Sequence, residues 1–140
     1  MKKPIFILLL VIGMWVFGAR SQAQMVIIAN ADLKIESISR PEVRDIFTGA
    51  SATMRSGTRV KPILLKRGAA HDEFLAAYIG EKDSEFRSDW MSLLFAGKMF
   101  MPPSLDSEAD VVEYVAKHSS AIGYVHKATP HKGVVVLAVQ

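Results

Sequence analysis

The segment Lys66-Arg67-Gly68-Ala69-Ala70-His71 is the stretch whose residue types and spacing best suit binding chemistry. It places a guanidinium, a glycine and two alanines at the start of an expected helix. The backbone N–H groups there are left unshielded by bulky side chains. Such unpaired donors and the positive end of the helix dipole favour an anion, and an arginine adds forked, charge-assisted contacts. The same residues also make an ordinary strand–turn–helix junction that binds nothing, so the motif needs support from the rest of the chain. His71-Asp72-Glu73 carries acid–base groups. Three polar residues in a first helical turn are ordinary capping chemistry, however, and Asp72 and Glu73 would repel an anion held at that helix start.

The other chemically capable groups point nowhere specific. The histidines are His71, His118, His126 and His131, and none forms a helical pair at metal-ligand spacing. His126 and His131 flank an expected turn and can meet across a hairpin, which allows adventitious metal binding only. The chain has no cysteine, so thiol nucleophiles, cysteine-based metal sites and disulfides are excluded. No Gly-x-Ser-x-Gly, phosphate-binding P-loop or dinucleotide fingerprint occurs. The expectation is therefore no enzyme, no cofactor and no metal centre.

The elements that would position the Arg67 segment follow from apolar periodicity. Val60 to Leu65 reads as a buried strand, and Ala70 to Ile79 as a helix with Phe74, Leu75, Tyr78 and Ile79 on one face. Met25 to Ala29 is an apolar run expected as a central strand. Ser39, Pro41 and Glu42 form a helix start with a capping box, Val43, Ile46 and Phe47 its buried stripe, and Gly49 a left-handed close. Ser56-Gly57 is expected as a tight turn. Asp83 is expected to cap a second long helix burying Phe86, Trp90, Leu93 and Leu94. Lys98 to Leu105 reads as a loop because of Pro102-Pro103. Its Met99, Phe100 and Met101 are expected to pack as a flap, the rival being an exposed apolar patch for a partner. Ser107 caps a third helix with Val111, Val112, Tyr114 and Val115 inward. Ala121 to Val125 and Gly133 to Val139 are the last strands. Alternating strands and helices predict an α/β domain with a mixed central sheet and helices on both faces.

The N-terminus reads as a targeting segment. Lys2 and Lys3, an apolar run from Ile5 to Phe17, and Ser21-Gln22-Ala23 are the three parts of a secretory signal peptide, with cleavage expected after Ala23. The run is short for a membrane span, which takes about 20 residues. Residues 24–140 then form one domain in a bacterial periplasm. Lys2, Lys3 and Arg20 leave with the leader, so the 17 basic residues fall to 14 against 14 acidic ones. That balance supports neither nucleic-acid nor membrane-surface binding.

Several of these residues together resemble one family. Arg44-Asp45-Ile46-Phe47-Thr48-Gly49 is similar to the Ile-Phe-x-Gly helix of the phosphate-binding subunits of phosphate ABC transporters, the PstS-like substrate-binding proteins. Ile63 to Phe74 resembles the family's strand, arginine and glycine-rich turn, and Ser120-Ala121-Ile122-Gly123-Tyr124-Val125 its Ala-Ile-Gly-Tyr-Val strand. The resemblance runs in order from Val26 to Val139. It implies a single lobe of a class II periplasmic binding protein, half of a two-lobed cage. It places the family's arginine on Arg67 and its Ser-Gly-Thr turn on Gly68-Ala69-Ala70 or Ala69-Ala70-His71, with both hydroxyls missing. Arg67, Gly68, Ala69, Ala70 and His71 are thus the expected contacts for inorganic phosphate or a similar oxyanion, held weakly if at all. Two other arrangements stand beside this solute-binding one. The lobe can serve as an interaction module docking on a membrane sensor, porin or transporter, or it can rebuild the cage as a homodimer.

Overall fold

Five apolar residues without a charge, Met25–Ala29, form strand β1 near the centre of a five-stranded mixed sheet. This computed structural model describes residues 24–140, and the leader expected over residues 1–23 lies outside them. The strand order is β2 (Ser37–Ile38), β7 (Val135–Val139), β1, β6 (Ala121–His126) and β3 (Lys61–Pro62). β1 runs antiparallel to both neighbours, setting Ile27 opposite Tyr124 on β6 and Leu137 on β7. The β2–β7 and β3–β6 pairs are parallel.

The apolar run Val60 to Leu65 does not stay with one partner. Lys61 and Ile63 donate their N–H groups to Ser120 and Ile122 beside and within β6. Leu64 and Lys66 donate instead to Pro103 and Leu105, so β4 (Leu64–Leu65) pairs in parallel with β5 (Ser104–Leu105). Successive peptide groups of an extended chain point to opposite edges, which lets one strand serve two neighbours. β5 lies in a segment whose two prolines argued for loop alone.

Helix α1 (Arg40–Phe47) begins with the expected capping box between Ser39 and Glu42. Helix α2 (Ala69–Phe74) continues directly into a wider π-helical segment, Leu75–Ile79, that Gly80 closes. Helix α3 (Asp83–Phe95) and helix α4 (Glu108–Lys117, capped by Ser107) complete the set. α4 covers one face of the sheet so closely that a Cβ built on Gly123 would lie 2.8 Å from Val111. On the opposite face Tyr124 stacks on Phe74 with ring centroids 3.8 Å apart, and Phe47 meets both rings edge-on. Trp90 and Phe86 of α3 are fully buried on the core. The sheet with helices on both faces is the α/β arrangement expected from the alternation of elements.

Three local expectations are corrected. Leu94, expected on the buried face of α3, lies at the surface. Asp83 is the first residue of α3 rather than its cap; Lys82 holds the cap position without a side-chain bond. The Lys98 to Leu105 segment packs only in part: Met99 is half-buried against the core, whereas Phe100 and Met101 are exposed. Phe100 is 96% exposed, and Phe95, Met91, Leu94 and Met101 join it on the surface. Pro102 is the segment's buried residue.

Candidate functional site

Strands β3–β4, β5 and β6 run in the same direction, so their C-terminal ends gather at one edge of the domain. In open α/β sheets this edge is where ligands bind, because the helices that follow parallel strands begin there. Two helices start at this edge, and they are finished differently. At α4 the Ser107 hydroxyl accepts the Asp110 N–H, and acidic Glu108 and Asp110 lie in the first turn. At α2 the cap position is Gly68, in an extended left-handed conformation (φ 108°, ψ 177°) open to few residues other than glycine, with no side-chain cap. The first N–H groups of a helix have no partner within it, so the start of α2 presents donors that its own side chains leave open.

Of the five expected contacts, Arg67, Gly68 and Ala69 lie exposed on this turn, while Ala70 is buried. Arg67 makes no ion pair among the described residues. Glu73, on the helix that follows, binds His126 instead. Lys66 pairs with Asp106 at 3.1 Å, which neutralises the second cation of the turn.

His71 differs from the other four. Its side chain is 1% exposed and points into the core, so it offers the turn no ligand group. The reason is helical spacing: positions 71, 74 and 75 share the face that carries buried Phe74 and Leu75. There the imidazole lies between Tyr124, with Nδ1 2.6 Å from the hydroxyl, and Asp83, with Nε2 2.7 Å from Oδ1. The carboxylate's other oxygen accepts from Arg87 Nε at 2.8 Å, and Arg87 Nη2 donates to the Lys66 carbonyl. Burial disfavours the charge on Asp83, but the Arg87 and His71 hydrogen bonds together outweigh it and hold the carboxyl below its ordinary range. Burial likewise pushes the Tyr124 hydroxyl up, so it stays a neutral hydrogen-bonding group. Sequence reasoning gave Asp83 only a capping role, Tyr124 only a place in a strand, and Arg87 none. The i, i+4 spacing of Asp83 and Arg87 was the one signal available.

A second cluster ties the same edge together. His126 ends β6 with its ring between Glu73 of α2 and Glu108 of α4, and its backbone N–H donates to Glu108 Oε1 at 2.6 Å. Thr129 adds a hydroxyl to that oxygen at 3.0 Å. His131 does not meet His126 across the turn; its Nδ1 lies 2.7 Å from the Thr129 carbonyl oxygen. Among the described residues no three His, Asp or Glu side chains are arranged to hold a metal ion. A cleft of about 450 Å³ elsewhere, between α1 and α3, sets Glu81 and Asp89 against Arg44 and Lys98. Two acids and two bases line it, so its formal charges balance.

No protein-family model matches the chain, and no curated protein matches it. Solved structures do. One from Clostridium perfringens, named as a phosphate ABC transporter substrate-binding protein and solved with bound phosphate, superposes with a TM-score of 0.62 at 16% identity. The match covers 82% of this chain and 44% of that one. PstS from Borrelia burgdorferi gives 0.58 at 16% identity, covering 83% and 47%. An ABC-type phosphate transport receptor from Vibrio cholerae gives 0.54 at 11%, covering 82% and 45%. The chain therefore has a PstS-like fold and spans a little under half the length of these neighbours, which are binding proteins by name and not enzymes.

Proposed function

We propose that this protein is an exported, non-enzymatic oxyanion-binding domain that takes inorganic phosphate or a similar anion weakly, for transport or sensing in the periplasm. The observation that carries this reading is the start of α2, whose glycine cap has no side-chain partner among the described residues and lies beside an exposed Arg67 that makes no ion pair among them, on a fold shared with phosphate-binding proteins. The contacts are the Arg67 guanidinium and the N–H groups of Gly68, Ala69 and Ala70. His71 contributes its backbone alone. Residues 1–23 act as the cleaved leader.

Affinity follows from what the turn lacks. Hydrogen bonds to a charged group contribute about 1.5–3 kcal/mol each, and about 1.4 kcal/mol is tenfold in affinity. Gly68-Ala69-Ala70 carries no hydroxyl, and a single lobe supplies one wall of a cage. Millimolar binding is the expected outcome. The test is a titration of the isotopically labelled protein with inorganic phosphate, followed by amide chemical shifts. Saturable shifts at Gly68 to Ala70 that vanish in Arg67→Ala support the proposal. Unmoved amides at tens of millimolar phosphate sink the binding, and micromolar affinity in the monomer sinks its weakness.

A second reading rests on the exposed aromatics. Phe95 is 82% and Phe100 96% exposed on either side of Gly97, with Met91, Leu94 and Met101 adjoining. An apolar patch of this kind on an otherwise polar domain suits docking on a membrane protein of the same compartment. It is independent of the Arg67 turn, so the two readings are tested by separate variants.

A further inference from the structure

The peptide groups on either side of Leu65-Lys66 are the two ends of one hydrogen-bonded circuit. Leu65 N–H donates to the Tyr124 hydroxyl at 2.9 Å, and Lys66 C=O accepts from Arg87 Nη2. Between them the path runs from Tyr124 to His71, Asp83 and Arg87. Its direction follows from giving the buried tyrosine hydrogen an acceptor. An amide can only donate, so the tyrosine oxygen accepts there and its own hydrogen passes to His71 Nδ1. The imidazole hydrogen then sits on Nε2, facing the Asp83 carboxylate, and every buried polar atom of the path is satisfied.

The circuit occupies a place that strand pairing has left open. Lys61 and Ile63 N–H bond to the β6 side of the sheet, and the next group in that alternation is Leu65 N–H. By then the strand has turned toward β5, and a side chain of β6, the Tyr124 hydroxyl, takes the bond in place of its backbone. Tyr124 and His71 are fully buried, while Asp83 and Arg87 reach the surface.

We infer that Tyr124, His71, Asp83 and Arg87 are positioning residues that hold the Lys66-Arg67-Gly68 turn from behind, so that the N–H groups of Gly68 to Ala70 stand ready-aligned for an oxyanion. This rests on the binding reading above. Donors fixed before the ligand arrives cost no ordering on binding, which is where a shallow, one-walled site gains most. None of the four side chains touches the anion; each acts through the backbone of the turn.

The experiment compares Tyr124→Phe and Arg87→Met with Val115→Ala, a cavity variant across the sheet that serves as a stability control. Imidazole nitrogen spectra of the unaltered protein are expected to show the Nε2–H tautomer at His71. In the ligand-free state both circuit variants shift the amides of Lys66 to Ala70, whereas Val115→Ala leaves them in place despite its lower stability. Each circuit variant weakens inorganic phosphate binding by about fivefold, the equivalent of one lost hydrogen bond. Arg87 lies at the surface, so Arg87→Met decides the matter if Tyr124→Phe fails to fold. Turn amides that stay put in Arg87→Met, or that move equally in Val115→Ala, overturn the inference. If the unaltered protein binds no phosphate, the binding reading fails, while the ligand-free amide shifts still decide whether the circuit shapes the turn.

Discussion

The indole of Trp90 donates its Nε1–H to the carbonyl oxygen of Phe47 at 3.0 Å, and that bond clamps α3 to the last turn of α1. It also explains the glycine two residues on. Gly49 has φ 80°, and a Cβ there would lie 2.6 Å from Leu93 Cδ1 and 2.9 Å from the indole ring. Leu93 can swing aside, whereas the indole is held by its own hydrogen bond. The Ile-Phe-x-Gly pattern is thus the signature of a helix end with an aromatic ring pressed on it.

Gly49→Ala is expected to destabilise by about 2–4 kcal/mol, from a left-handed backbone and an overpacked contact together. Urea denaturation measures it. A cost under about 0.5 kcal/mol, the level of an ordinary surface change, shows that the indole yields.

Asn30 ties the end of β1 to the end of α4. Its Nδ2 donates to the carbonyls of Val115 and Ala116 at 2.8 and 3.1 Å, and its Oδ1 accepts the Asp32 N–H at 2.8 Å. Asn30→Ala leaves a buried carbonyl unsatisfied and should cost about 1–3 kcal/mol. Asn30→Asp keeps the acceptor but sets a charge against two carbonyl oxygens, so it should cost more. Equal stability of the two variants by thermal denaturation contradicts the assignment of donors.

The His126 cluster makes stability depend on pH on both sides. Burial opposes the charged ring, but hydrogen bonds to Glu73 and Glu108 outweigh it and raise its pKa above the ordinary 6.5. A raised folded-state value means stability fully present below the unfolded value and lost as pH rises through the folded one. Glu108 runs the other way. Burial raises its pKa, the bonds from the His126 N–H and Thr129 outweigh that, and the net lowering gives stability lost as pH falls through the folded value. His126→Gln is therefore expected to flatten the alkaline fall in urea midpoints measured across neutral pH. An unchanged profile removes the cluster as its cause.

Phe95→Ser and Phe100→Ser lie where little is buried, so each should change folding stability by less than about 0.5 kcal/mol. Both should reduce the protein's tendency to associate, read by sedimentation. Strong destabilisation by either one shows that the ring packs on its own domain and serves no partner.

Where the pattern along the chain is local, the sequence by itself determined the outcome. The capping box at Ser39 and Glu42, the glycine close at Gly49, the Ser107 cap and the apolar runs of β1, β6 and β7 each depend on neighbours a few residues away. So does the alternation that specifies an α/β sheet. Tertiary structure decided what lies between distant residues. Helical spacing placed His71 on a buried face, but its partners Tyr124 and Asp83 come from 53 and 12 residues away. Nothing in local order says which strand delivers a hydroxyl to which helix. The division of Val60 to Leu65 between β6 and β5 depended on two other segments arriving at its opposite edges. Nothing local to Lys98–Leu105 says that Phe100 stays at the surface while Pro102 is buried. Short-range hydrogen bonds and periodicity are written into consecutive residues, whereas competition for the interior is settled only when all the elements meet.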